Sequence, residues 1–338
     1  MFNFKYKNSI FFELLFSLLI TILFTVITVN KINWEEFISI TKSFDSLYII
    51  PAIVFLILMH LLHSARWYIY LSSKLSGYSI KYFLITNVTF MTNSLIPFRI
   101  GDFVKIYLAR KYIQSDFSKI TSSVIVGHYF DFTFLFLLIN IMFALINLDA
   151  AEIFSNNWIY YSLFIANILI TVVIIFMEII VRNLRHYLKN IYFVNNVLNF
   201  LIELNLEIKM LTRNINLLSI NVVLTILYWI CVGLLFKCVS LGLGIDLDYS
   251  MIILAVVVSA FATSIPLTPA SIGTFHLAII YSLSIWISDQ TLLFTYALIL
   301  HSILIISILF NATPERSYSF ESVVTPSETW ICPSANQA

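Results

Sequence analysis

The sequence predicts an all-α, polytopic integral membrane protein with about six to eight transmembrane helices, including two broken or re-entrant segments arranged as an inverted repeat. Three observations carry that prediction. Of 338 residues, 60% are hydrophobic and 11% charged, and the mean hydropathy is +0.93, whereas a soluble domain carries roughly a quarter charged residues. Apolar runs of the roughly 20 residues needed to cross hydrocarbon recur along the chain, most clearly at 10–29 and 158–181. The pattern P-x-x-I-G-x-F occurs twice, at 97–103 and 269–275, each time inside an interrupted apolar segment. A net charge of +1 gives no electrostatic basis for a nucleic-acid partner. Cys231 and Cys238 lie in or beside one apolar run and Cys332 lies near the C-terminus, which argues against a disulfide framework.

The first apolar run follows Lys5 and Lys7. It is too long for a signal h-region and ends in Val29-Asn30-Lys31 without a small-residue cleavage site, so it reads as a retained helix with a cytoplasmic N-terminus. A short outer loop with Glu35, Glu36 and Asp45 leads to a second helix over 47–70, which ends in Arg66-Trp67. The stretch 82–112 is less apolar and broken at Pro97 and Gly101, with basic residues at both ends, so it should enter and leave on one side. Such backbone is tolerated in a membrane only when buried in protein or lining a wet cavity. A third helix over 121–148 and a fourth over 158–181 follow. Between 183 and 214, Leu198, Leu201, Ile202, Leu204 and Ile208 recur at near-helical spacing, which predicts an amphipathic helix lying in the interface. A fifth helix over 217–241, a second interrupted region over 251–288 and a last span over 291–310 complete the membrane domain, 1–310. Residues 311–338 contain three of the seven prolines and no apolar run, so a disordered tail is expected.

Half one (about 10–148) starts inside and half two (about 158–310) starts outside, and each places a histidine (His128, His301) on the helix after its motif. Oppositely oriented copies with broken helices are the signature of inverted-repeat transporters, whose site lies where the breaks meet. The plainer reading is two helices kinked by Pro97, Gly101, Pro269 and Gly273 for packing alone.

Ionisable residues within membrane segments are costly and point to function. Arg66, Arg99 and Lys105 are the candidates for holding a lipid phosphate; Arg99 could equally pair with Asp102, three residues on. Arg110 and Lys111 read as markers of the cytoplasmic side. The turns at Gly101 and Gly273 should open half-helices, with Asp102 capping the first and Thr274 the second. An anionic head group then fits better at Ser271, Gly273 and Thr274, approached by Arg99. His128 and Asp131 share a helix face and could relay a proton or form a buried structural pair. His60 and His63 lack neighbouring carboxylates, so neither a metal nor a cofactor is expected. The absence of a G-x-x-x-x-G-K-[ST] loop argues against ATP hydrolysis of that kind.

The strings Arg66-Trp67, N-S-L-I-P-F-R-I-G-D-F-V-K at 93–105 and P-L-T-P-A-S-I-G-T-F at 266–275 resemble the flippase-like transmembrane family. It includes the membrane region of lysylphosphatidylglycerol synthase and the UPF0104 proteins. The resemblance covers about 10–310 and implies a link to translocation of a lipid or lipid-linked sugar. Where the family usually has Arg this chain has His128 ahead of Asp131; where the second motif usually ends in Glu it has His276, and Ser271 replaces a usual glycine. Nothing after 310 reads as the synthase's soluble transferase domain, so lysyl-lipid synthesis is not implied.

Three functions follow. The first is a translocase of the cell membrane for an anionic phospholipid or lipid-linked sugar. The second is an intramembrane transferase component, against which no D-x-D pair or nucleotide-sugar domain is present. The third is a non-transporting subunit serving a membrane enzyme partner.

Overall fold

The computed structural model describes residues 3–30, 32–72, 74, 77–96, 98–145, 192–264 and 268–311, with single helical positions between 165 and 183. The predicted fourth helix lies almost wholly outside these residues, as do Pro97, Pro266 and the predicted tail beyond Asn311. The described residues form helices joined by turns, with no strand among them. Its helices are α1 (Asn3–Val29), α2 (Trp34–Lys42), α3 (Ile49–Ser72), α4 (Ile80–Leu95), α5 (Ile100–Tyr112) and α6 (Phe117–Leu145), followed by α7 (Tyr192–Arg213), α8 (Ile215–Gly242), α9 (Tyr249–Ser264), α10 (Thr274–Leu283) and α11 (Gln290–Asn311).

Three stretches among the described residues are each long and apolar enough to cross a membrane: Ser46–Ser72, Phe117–Ile141 and Ile215–Gly242. A fourth results if Ser17–Val29 and Trp34–Lys42, which meet at 86°, form one bent span. Their outer faces explain the composition. Ile53, Val54, Ile57, Leu58 and Leu61 of α3 are exposed, as are Val222, Val223, Ile226, Leu227 and Ile230 of α8. Such a continuous apolar surface is untenable in water and suited to lipid tails. The protein is therefore a multi-pass helical membrane protein.

α3 and α8 form the central packing. The pair is antiparallel: the Asp45 N–H just before α3 donates to the carbonyl of Gly242 at the end of α8 (2.8 Å), while Leu217 at the start of α8 shares a cluster with Trp67–Leu71 at the end of α3. Lipid tails are as apolar as leucine, so this contact depends on close packing rather than escape from water. Ala52, Ser64 and Ser240 are fully buried, small enough to let backbones approach.

Each end of the α3–α8 pair organises one apolar core. The first core joins Leu56 and Met59 of α3 and Leu235 and Val239 of α8 to α9, α10 and α11. The second joins Trp67–Leu71 to Tyr82 and Ile85 of α4, Ile106 and Leu108 of α5, Ile120 of α6, and Leu198 and Leu204 of α7. The predicted amphipathic helix is thus α7, with its apolar stripe against the second core.

One predicted loop is a helix. The acidic stretch after α1 forms α2 because Asn33 caps it: its side-chain oxygen accepts from the N–H groups of Glu35 (3.1 Å) and Glu36 (3.4 Å). Glu35 and Glu36 in the first turn and Lys42 in the last complement the helix dipole. Phe37 then packs on Phe294 of α11, ring centres 5.8 Å apart.

Candidate functional site

Both interrupted segments are helical hairpins, and their turns share an unusual backbone. Phe98 (φ 68°) and Arg99 (φ 52°) occupy the left-handed region, as do Ala270 (φ 52°) and Ser271 (φ 55°) at the same two places of the second motif. Each such non-glycine residue costs about 1–3 kcal/mol, and strain of this kind clusters at functional sites. The two motif glycines differ in what requires them. A Cβ at Gly101 would lie 2.2 Å from the Thr89 carbonyl oxygen, so Gly101 lets α5 press against α4. Gly273 has φ +84°, and a Cβ there would lie 2.7 Å from Phe24 Cβ of α1.

The capping differs from the sequence expectation at both turns. Arg99 is the N-cap of α5, and the free N–H of Gly101 donates to Asn93 Oδ1 of α4 (2.7 Å). Asp102 therefore does not cap the helix. Its Oδ2 accepts from Arg99 Nε (3.4 Å) and lies 3.1 Å from His128 Nε2 of α6. In the second hairpin the Gly273 N–H donates to His276 Nδ1 (3.4 Å), while the Thr274 hydroxyl donates back to the Ser271 carbonyl (3.0 Å). His301 of α11 anchors the same turn through Nε2 to the Ala270 carbonyl (2.8 Å).

His128 and Asp131 do not pair with each other. Across the helix interface Asp131 Oδ1 takes Arg66 Nη2 at 2.7 Å. Helical spacing shows which residues share a face, whereas the partner comes from the neighbouring helix α3. Arg66 is 1% exposed, with its guanidinium between the rings of Tyr70 (5.9 Å) and Tyr228 (5.5 Å). Lys105 is also buried, its Nζ 4.2 Å from the centre of the Trp67 ring. That ring is held by its Nε1 donating to Ser123 Oγ (3.1 Å).

These groups enclose an inner chamber of about 40 Å³ whose walls include Arg66, Arg99, Asp102, Lys105, His128 and Asp131. It adjoins a larger cavity of about 340 Å³, with which it shares His63, Phe90, Asn93, Arg99, His128 and Asp131. The larger cavity is lined from both hairpins, by Ser94, Phe98 and Arg99 on one side and Thr268, Ala270 and Ser271 on the other. The rest of its wall mixes Ser259, Thr263 and His301 with apolar Phe132, Leu135 and Phe275. Gly101, Pro269, Gly273, Thr274 and His276 shape the turns and are not on either wall. Asn93 and Thr86 line the chamber without having been singled out from sequence. Asn93 stands four residues before Pro97 in the first motif string, the one signal that could have marked it.

Residues 14–310 match the family described as the lysylphosphatidylglycerol synthase TM region. The chain belongs to that family. A UPF0104 membrane protein from Methanocaldococcus jannaschii is 25% identical over 193 residues, covering 57% of this chain and 79% of that protein. No solved structure matches. In this member of the lysylphosphatidylglycerol synthase transmembrane family, two histidines touch the hairpins: His128 of α6 lies 3.1 Å from Asp102 Oδ2 in the first, and His276 accepts from the Gly273 N–H within the second.

Proposed function

We infer that the chain moves a lipid or lipid-linked anion between membrane leaflets, with the head group passing through the cavity between the two hairpins. The observation that carries this reading is the 340 Å³ cavity, walled by both strained turns and by polar and apolar side chains together. A head group crossing bare hydrocarbon loses its hydrogen bonds at a cost of several kcal/mol per polar group. A polar wall replaces those bonds while the acyl chains stay among apolar residues and lipid. The equal backbone of the two turns supports reading them as inverted copies that exchange the side to which the cavity opens. On this reading the N-terminus, with Lys5 and Lys7, faces the cytoplasm of a cell membrane, and the ligand is an anionic phospholipid or lipid-linked sugar.

The test is reconstitution of the purified chain into liposomes carrying fluorescent phosphatidylglycerol, with dithionite quenching of the outer leaflet. The expected result is quenching that proceeds into the inner-leaflet pool, and that is lost in Arg99→Ala and in Gly273→Leu. Preserved leaflet asymmetry with protein that runs as a single folded species refutes the reading and favours a non-transporting subunit.

A further inference from the structure

The geometry points to a phosphoryl seat in the inner chamber, where Arg66, Lys105 and Thr86 hold the anionic oxygens of a phosphate whose remainder lies in the larger cavity. This deepens the translocation reading and rests on it for how a ligand reaches the seat, whereas the seat itself is argued from the chamber.

The chamber holds more cation than its carboxylates neutralise. Among the described residues, Arg66, Arg99 and Lys105 line it together with the carboxylates of Asp102 and Asp131. The two carboxylates are also engaged: Asp131 by Arg66 Nη2, and Asp102 by Arg99 and His128. A guanidinium carries five N–H donors. In Arg66, Nη2 serves Asp131 and, at 3.4 Å, Tyr70, while Nε and Nη1 are buried without a partner. Thr86 is 1% exposed and its Oγ1 is likewise buried without a partner. Lys105 sits over an aromatic ring with no carboxylate oxygen within ion-pairing distance among the described residues. Unpartnered donors of Arg66 on α3 and Thr86 on α4, with the Lys105 ammonium of α5 beside them, thus line one small space.

Burying unpaired donors is unfavourable, and a charged group left so is the most unfavourable case. Water could bridge some of these donors, since about 40 Å³ admits roughly three molecules, but water leaves the surplus charge in place. An anion removes both defects. A guanidinium fork, an ammonium and a hydroxyl at separate positions suit a group with several oxygens, and arginine recognises phosphate through paired N–H donors. The chamber is too small for a whole head group, and it shares Asn93, Arg99 and Asp131 with the lining of the larger cavity. A phosphate at the end or in the middle of a longer ligand fits that shape.

The experiment follows thermal unfolding of the full chain in detergent at matched ionic strength. The probes are inorganic phosphate, sub-micellar dihexanoyl phosphatidylglycerol and, as an uncharged control, dihexanoylglycerol. Stabilisation by both phosphate-bearing probes, with apparent Kd weakened about tenfold or more in Lys105→Gln and in Thr86→Val, is the expected result. Stabilisation by the lipid alone supports the seat and names a lipid phosphodiester as its source; stabilisation by inorganic phosphate alone supports it and names a free anion. No response to either phosphate probe, an equal response to the uncharged control, or a response undiminished in both variants overturns the seat. A chain that moves lipid in liposomes yet fails this titration loses the seat and keeps the pathway, so the two failures are told apart.

Discussion

Gly101→Val should unfold the first hairpin at a lower temperature and abolish lipid movement. A Cβ at position 101 would sit 2.2 Å from the Thr89 carbonyl oxygen and 2.6 Å from Asn93 Oδ1. The first neighbour is backbone on a packed helix, so α5 must lift off α4, and the Gly101 N–H then loses its acceptor. Overpacking and a lost buried hydrogen bond together amount to at least about 3 kcal/mol, or roughly 5 °C or more in Tm. Gly233→Ala is the control: its Cβ would meet nothing nearer than Ile252 Cγ2 at 3.7 Å. Within α8 that change should leave Tm equal or higher, because alanine is the better helix former. Equal Tm loss in the two variants would show that the hairpin contact is loose.

Asp131→Ala should be the second severe change. It strands Arg66, 1% exposed, without its 2.7 Å partner. Breaking a buried pair by removing one member costs about 3–5 kcal/mol, whereas replacing both members by apolar residues is often neutral. The double variant Arg66→Met/Asp131→Leu should therefore recover most of the thermal stability lost in Asp131→Ala, yet move no lipid. If the double variant moves lipid at the normal rate, the ion pair is purely structural and the cationic chamber is not part of the pathway.

The helical membrane class was legible because composition and run length act locally, and the positions of α1, α3, α6, α8 and α11 follow the apolar runs closely. The two Pro-Gly motifs were legible as interruptions, since proline removes a donor and the residue before it avoids the helical region. What the motifs did not reveal was that Phe98, Arg99, Ala270 and Ser271 all turn left-handed, because nothing in those residue types asks for it. Partnerships across helices were the least legible part. Asp102 and Arg99 were three apart and do pair, but Arg66 with Asp131 are 65 residues apart and Asp102 with His128 are 26 apart. Helical spacing places side chains on a face; which face meets which is decided by packing of α3, α5 and α6. α2 was missed for a local reason, because the Asn33 cap followed by two glutamates was read as loop polarity.

Lipid movement of this kind requires the two hairpins to meet around one cavity that a head group crosses. Ser94 of α4 and Ser271 of the second turn line that cavity from opposite hairpins. In a chain whose Cys231, Cys238 and Cys332 are replaced, Ser94→Cys and Ser271→Cys can be bridged by a reducible bis-methanethiosulfonate linker in proteoliposomes. Bridging should stop lipid movement, and reduction should restore it. A bridged chain that moves lipid at the full rate, or two cysteines that a short linker never joins, would mean that no head group passes between the hairpins.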